Sequence, residues 1–287
     1  MKLLLTCLSL ILPTPMSING QRPNFILFMA DDLGYGDISC FGNKTLATPN
    51  IDQLASQGVR LTHTVAASAI CTPSRSAFLT GRLPIRYGLV GNEIPVITHV
   101  ASKIGLPQSE LTFAKILQQN GYATSVIGKW HQGLDCNWHG DKCHHPHTHG
   151  FHHFYGTPLT NQLEYGDEDE EVYTALLIYP NLFTYFKSVA FVSFLTAVVV
   201  WRLGYRLTSF AIASIGIGIP AYFYFTIVMN KPLNSMIMRN DQVTEQPIIL
   251  KTFTKRMVRE SLEYIHEQSK EKNHFYFSSA SLTFTLL

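Results

Sequence analysis

Apolar positions recur along the chain in three rhythms, and each rhythm predicts a different element. The shortest is the unbroken run Asn24-Phe25-Ile26-Leu27-Phe28-Met29-Ala30, closed by Asp31-Asp32 and the turn formers Gly34 and Gly36. A run of that length with no polar alternation reads as a parallel strand buried on both faces. Tyr122-Ala123-Thr124-Ser125-Val126-Ile127 reads as a second strand, Phe275-Tyr276-Phe277 begins another, and Val59 to Val65 is a further candidate. Helical spacing marks Thr48 to Gly58, which has a capping residue and a terminal glycine, and the segment after Thr112 through Phe113, Ile116 and Leu117. It marks Thr252 to Gln268 as well, with Phe253, Met257, Leu262 and Ile265 on the apolar side. Strands alternating with helices predict an α/β layered architecture.

The longest rhythm has almost no polar interruption. Leu182 to Leu203 is apolar apart from Lys187 and Arg202, and Leu207 to Met229 carries no charge. At about 1.5 Å per residue either segment covers a hydrocarbon core of about 30 Å. The connection Arg202-Leu203-Gly204-Tyr205-Arg206 then makes residues 182–229 a transmembrane hairpin, its basic tip cytosolic and both flanks lumenal, with Lys187 snorkelling to the interface. A hydrophobic core hairpin in a soluble domain is the competing reading. Residues 1–20 read as a secretory signal peptide: Met1-Lys2 precedes an apolar run from Leu3 to Leu12 that is closed by Pro13 and Pro15. The remainder divides into residues 21–181 and 230–287.

Composition adds two limits. A net charge of +2 over 287 residues gives no argument for a nucleic-acid partner. Removal of the leader removes Cys7 and leaves Cys40, Cys71, Cys136 and Cys143. In an oxidising compartment Cys136 and Cys143 close a small loop by a disulfide, and Cys40 has no obvious partner. The segment from Cys136 through His153 contains seven histidines, so a zinc site from the two cysteines and two histidines is chemically open, although the spacing matches no common zinc module. Asn43-Lys44-Thr45 is a glycosylation sequon, and Asp167 to Glu171 is a solvated acidic run.

Chemistry concentrates where strands end. Ligand sites in open α/β sheets lie beyond the carboxyl ends of strands, which is where Asp31-Asp32 and Gly128-Lys129-Trp130-His131 fall. Pro73 suits a first helical turn and Ser76 to Leu79 reads as helix, which places Cys71 at or just before a helix N-terminus. There a thiol is either a low-pKa nucleophile or a buried core cysteine.

The whole string Ala69-Ile70-Cys71-Thr72-Pro73-Ser74-Arg75-Ser76-Ala77-Phe78-Leu79-Thr80-Gly81 resembles the sulfatase family, whose Cys-x-Pro-x-Arg site is oxidised during secretion to formylglycine. The string from Gly121 to His131 resembles that family's second motif, Gly-Tyr-x-Thr-x-x-x-Gly-Lys-Trp-His, with Gln132 where many members have leucine. Cys143-His144-His145-Pro146, the segment Gly150 to Gly156 and the hairpin resemble the vertebrate membrane-associated arylsulfatases of the steryl-sulfatase branch. The resemblance implies an alkaline-phosphatase-like layered sheet with helices on both faces, interrupted by the hairpin. It implies a sulfuric ester hydrolase in which the hydrated aldehyde made from Cys71 is the nucleophile and Ca2+ is held by Asp31, Asp32 and the residue at position 71. Arg75 would hold the nucleophile's oxygens, Lys129 would contact sulfate, and His131 would hydrogen-bond the hydrate. The histidine-rich loop would form a rim of the substrate cleft.

The implied partners are a formylglycine-generating enzyme, the membrane and an apolar aryl or steroid sulfate. The implied location is the endoplasmic reticulum membrane with a lumenal catalytic domain. The resemblance runs from Arg22 to the mid-270s, about half of a typical member. Where members carry His-x-His-Thr, this chain has Ser281 to Leu286, and the C-terminal part of the family fold is not present in the sequence. A truncated, catalytically inactive membrane-associated homologue is therefore the alternative expectation.

Overall fold

The computed structural model describes residues 22–90, 103–138, 140–161, 182–271 and 273–282. The expected leader and the acidic run at 167–171 lie outside the described residues. The elements in chain order are β1 (Phe25–Ala30), α1 (Pro49–Gln57), α2 (Cys71–Thr80), α3 (Phe113–Gln119), β2 (Ala123–Gly128) and β3 (His153–Gly156). They continue with α4 (Leu182–Arg202), α5 (Arg206–Asn234), β4 (Ile237–Arg239), β5 (Gln242–Glu245), α6 (Leu250–Lys270) and β6 (Phe275–Leu282).

The six strands form one mixed sheet in the order β1-β6-β2-β3-β4-β5. Strands β1, β6, β2 and β3 run parallel, while β4 and β5 are added antiparallel. The last strand of the described chain thus sits between the first two. Its register sets Ala30 opposite Leu282 and Gly128 opposite Ala280, so β1, β2 and β6 end along one rim.

Alternation along these strands divides the interior between two faces. Val126, Phe154, Met238 and Tyr276 enter one core, with Leu79 from α2 and Ala114 from α3. Ile127, Tyr155, Ile237 and Phe277 enter the other, covered by Met257 and Tyr264 of α6. Helices therefore cover both faces, as expected. A fully buried side chain such as Phe277 contributes roughly 1.5–3 kcal/mol by leaving water. Buried Glu260 ties α6 to the sheet by bidentate bonds from Arg239 and a 3.0 Å contact with His153 Nε2.

Three expectations need correction. Strand β1 is not buried on both faces: it pairs with β6 on one side only among the described strands, and Phe28 is 62% exposed. Val59 to Val65 forms no strand, because that segment pairs with no neighbour among the described residues and Val65 is 90% exposed. In α6 the buried line runs through Met257, Glu260 and Tyr264, which leaves Leu262 exposed. Strands β4 and β5 pair after Met236, anchored by buried Ile237 and Met238.

Helices α4 and α5 pack against each other through small residues. Ser209 Oγ donates to the Ala197 carbonyl at 2.6 Å, and a Cβ on Gly216 would lie 2.1 Å from Ser193 Cβ. Phe191, Val192, Leu207 and Phe210 point outward and are exposed. Thr184–Arg202 is long and apolar enough to cross a membrane by length and composition.

Candidate active site

Helix α2 begins at Cys71 itself, with extended Ile70 as its N-cap and Pro73 tolerated in the first turn. Gly81, at φ 66°, ends the helix by accepting the left-handed conformation and donating its N–H to Ala77 O. The thiol of Cys71 is free and partly exposed, as is that of Cys40. Four residues on, one turn further along the same helix face, Arg75 is only 6% exposed.

Arg75 reaches the ends of two strands. Its Nη1 donates to the Lys129 carbonyl at 2.8 Å, just past β2, and its Nη2 lies 3.4 Å from Asp31 Oδ2, just past β1. Lys129 Nζ donates to the same Asp31 oxygen at 2.8 Å. Burial alone raises the Asp31 carboxyl, but the Arg75 charge and the Lys129 hydrogen bond outweigh it, leaving Asp31 below the ordinary carboxylate range. For Arg75 burial is the largest influence and lowers its pKa, opposed by Asp31 and by Cys71. The guanidinium remains a cation.

Two non-glycine residues at this rim hold left-handed backbone, Asp32 at φ 61° and His131 at φ 54°. Such conformations cost of order 1–3 kcal/mol and persist only where surrounding contacts over-determine them. Around His131 they do: Trp130 N–H donates to Thr157 O at 2.9 Å and His131 N–H to Pro158 O at 3.0 Å. His131 itself is buried, at 1% exposure. Gly156 allows the strap to lie so close, since a Cβ there would sit 1.9 Å from Gly128 O.

Gln132, which stands where many members of the family have leucine, is fully buried and bridges the site. Its Nε2 donates to Thr72 O at 2.9 Å and to His131 O at 2.8 Å, joining the first turn of α2 to the turn after β2. The available signal was a polar residue inside an otherwise matched motif.

The cleft in front of this cluster measures about 750 Å³, and Asp31, Asp32, Cys71 and Arg75 all line it. The two carboxylates offer hard oxygen donors side by side, a chemistry that fits a hard cation such as Ca2+, which takes six to eight oxygens. The donor set of Asp31 and Asp32 supplies part of that shell.

Two side chains of the histidine-rich loop, His144 and His145, pack into the interior. His144 Nδ1 bonds Leu106 O at 2.7 Å and His145 Nε2 bonds Asn240 O at 2.7 Å, both rings being buried. Burial pushes His145 down to about 4 and His149 to about 3, so both are neutral near pH 7. Cys136 and Cys143 are joined in a disulfide, Cα to Cα 5.9 Å. The sulfurs that sit with His144 within 4.8 Å of one another are thereby removed as metal ligands, which corrects the zinc alternative. Asp141 organises the disulfide loop by accepting N–H bonds from Cys136, Asn137, Trp138 and Cys143. At the sequon, Asn43 Nδ2 donates to Gly36 O at 2.8 Å and Oδ1 accepts from the Thr45 hydroxyl at 2.8 Å.

Comparison with known proteins agrees with this geometry. The Sulfatase family model matches residues 23–281. Human arylsulfatase D is 44% identical over 270 residues, covering 92% of this chain and 45% of that protein. Human steryl-sulfatase is 40% identical over 262 residues, covering 87% and 43%. Among solved structures, the PsFucS1 sulfatase from Pseudoalteromonas sp. superposes with a TM-score of 0.57 at 25% identity, over 91% of this chain and 44% of its own. The chain spans less than half the length of each of these relatives. A match that runs through both strand ends, the Cys71 helix and the sheet between them shows that the chain belongs to the sulfatase family.

Proposed function

We propose that this chain forms the nucleophile-bearing part of a sulfuric ester hydrolase acting on apolar aryl or steroid sulfates. One observation carries the reading: the Cys71 position opens a helix at the wall of a cleft, with the cations Arg75 and Lys129 converging on Asp31 behind it. Formylglycine made from Cys71 by a formylglycine-generating enzyme supplies a hydrated aldehyde able to attack sulfur. Asp31 and Asp32 would hold Ca2+ beside it. Arg75, fixed through the Lys129 carbonyl, keeps positive charge against the nucleophile position, where stabilising a developing anion is worth most in a water-poor site. Lys129, whose Nζ donates to Asp31, would contact the sulfate of a bound ester.

The α4–α5 pair is the transmembrane hairpin of this reading, its outward apolar side chains facing lipid. Arg202 and Arg206 mark the cytosolic tip, the site domain lies in the lumen of the endoplasmic reticulum, and Asn43 is a glycosylation acceptor in that lumen. The human relatives named arylsulfatase D and steryl-sulfatase support the aryl and steroid substrate class.

A membrane-associated homologue without turnover is the second reading. It is favoured by one observation: Asp31 and Asp32 are the acidic side chains among the described residues lining the cleft, fewer than a calcium shell needs. Mass spectrometry of the peptide containing position 71, combined with aryl sulfate turnover by the purified chain, tests both. An aldehyde with turnover supports the hydrolase; an aldehyde without turnover supports the second reading; an unmodified thiol removes the nucleophile and overturns the first.

A further inference from the structure

Helices α4 and α5 meet in a tip that carries the pair's two arginines. Gly204, at φ 92°, reverses the chain between Arg202 and Arg206, and the reversal is closed by N–H bonds from Gly204 to Trp201 O at 3.0 Å and from Tyr205 to Val200 O at 3.2 Å. The Arg206 guanidinium lies over the Trp201 ring, 5.6 Å from its centroid, and Trp201 meets Phe210 edge-on at 5.4 Å. Both arginines are exposed, and neither helix contains an acidic residue to pair with them. Around them Leu203, Tyr205 and Leu207 also stand open to the outside.

We propose that this tip binds the phosphate of an anionic glycerophospholipid between Arg202 and Arg206. The proposal rests on the reading of α4–α5 as a transmembrane hairpin and names the lipid class that the tip recognises. Depth selects a headgroup: the 21 residues of α4, at about 1.5 Å each, span a hydrocarbon core of about 30 Å, so a base at one interface puts the tip at the other. Charge selects an anion, because the two like charges that flank the Gly204 turn repel each other, and an anion between them supplies two attractions instead. Side-chain chemistry selects phosphate. The tip uses arginine, whose planar fork of donors matches phosphate oxygens, whereas the cations toward the other ends of the two helices, Lys187 and Lys231, are lysines. Stacked on Trp201, the Arg206 guanidinium keeps its in-plane N–H groups open to an acceptor. Exposed Leu203 and Leu207 beside the arginines suit a ligand that carries acyl chains rather than free phosphate.

The test titrates the full chain, in uncharged detergent, with dioctanoyl phosphatidylglycerol, and with dioctanoyl phosphatidylcholine and inorganic phosphate for comparison, read by calorimetry. Phosphatidylglycerol should bind roughly tenfold more tightly than either. Arg202→Gln and Arg206→Gln should each weaken it roughly fivefold, while Lys187→Gln, which removes a charge from the other end of the pair, should leave it unchanged. Arg202→Lys combined with Arg206→Lys keeps the net charge but removes both forks, and should weaken binding as well. Equal affinity for phosphatidylcholine, inorganic phosphate bound as tightly as the lipid, an equal loss in Lys187→Gln, or a double-lysine variant that binds like wild type would overturn the site. Resistance to alkaline extraction from membranes reads insertion separately. An inserted chain without lipid preference defeats the tip site alone, and a chain that is extracted defeats the hairpin reading and the tip site with it.

Discussion

Lys129 Nζ and Arg75 Nη2 meet on one oxygen of Asp31, at 2.8 and 3.4 Å, and so three separate elements are joined by a single carboxylate. The first strand, the second strand and the helix that begins at Cys71 are held together by that contact. Each charge is largely withdrawn from water, and each would be expensive alone.

Lys129→Met removes the shorter of the two contacts. The Asp31 carboxyl should then titrate higher, toward the ordinary carboxylate range, because Arg75 remains as its one cation among these contacts. Carbon-detected NMR titration of the labelled carboxylate measures the shift. An unmoved midpoint would show that Lys129 does not hold this charge.

Asp31→Ala leaves the buried Arg75 guanidinium without its carboxylate. Breaking a buried pair by removing one partner costs roughly 3–5 kcal/mol, and the retained Arg75 bond to Lys129 O places this site at the lower end. Urea denaturation should show a reduced midpoint with little change in slope.

The link between α6 and the sheet depends on pH. Burial raises the Glu260 carboxyl, but bonds from His153 and Arg239 outweigh it and leave its folded pKa below the unfolded one. A group depressed in this way contributes stability above its unfolded pKa, near 4.3, and loses it as pH falls through the lower folded value. Glu260→Gln should therefore lower the melting temperature at pH 7 and flatten its decline between about pH 5 and 3. Parallel acid curves for wild type and variant would contradict this.

Gly156→Ala tests the close approach that shapes the His131 turn. Its φ of 154° and a Cβ 1.9 Å from Gly128 O mean that the backbone must move, at a cost of about 3 kcal/mol. Calorimetry should report the loss, and amide exchange at Trp130 and His131 should speed up, since their N–H groups donate to the residues after Gly156.

In the α4–α5 pair, Gly216→Ala collides with Ser193 and should destabilise the pair by about 1–3 kcal/mol. Adding Ser193→Gly removes the colliding atoms and should restore part of it. Strict additivity in this double-mutant cycle would show that the two positions do not touch.

Much of the site was legible because its chemistry is written in short, contiguous strings. Cys71, Pro73 and Arg75 share one helix, and Lys129 follows one apolar run directly, so helix start and strand end located them without any tertiary information. The two long apolar segments were equally plain, since a run of that length forms a helix whatever surrounds it.

Burial was not legible in the same way. The apolar run of β1 predicts a strand but not its place in the sheet, and at the edge of the described strands it exposes Phe28. Val59 to Val65 has strand-like residues but no pairing neighbour among the described residues, and a strand exists only through its neighbour's hydrogen bonds. Periodicity gave α6 an apolar side that includes Leu262, while packing against β2, β3 and β6 chose the line through Glu260.

By itself the sequence determined local geometry, because helix starts, strand lengths and motif spacing depend on residues a few positions apart. Only the tertiary structure decided which strand lies at the edge among the described strands, that Lys129 and Arg75 share Asp31, that Gln132 clamps α2 to the His131 turn, and that His144, His145 and His149 are buried. Those outcomes are contacts between segments tens to hundreds of residues apart, and their energies arise from burial and charge pairing that no local pattern encodes.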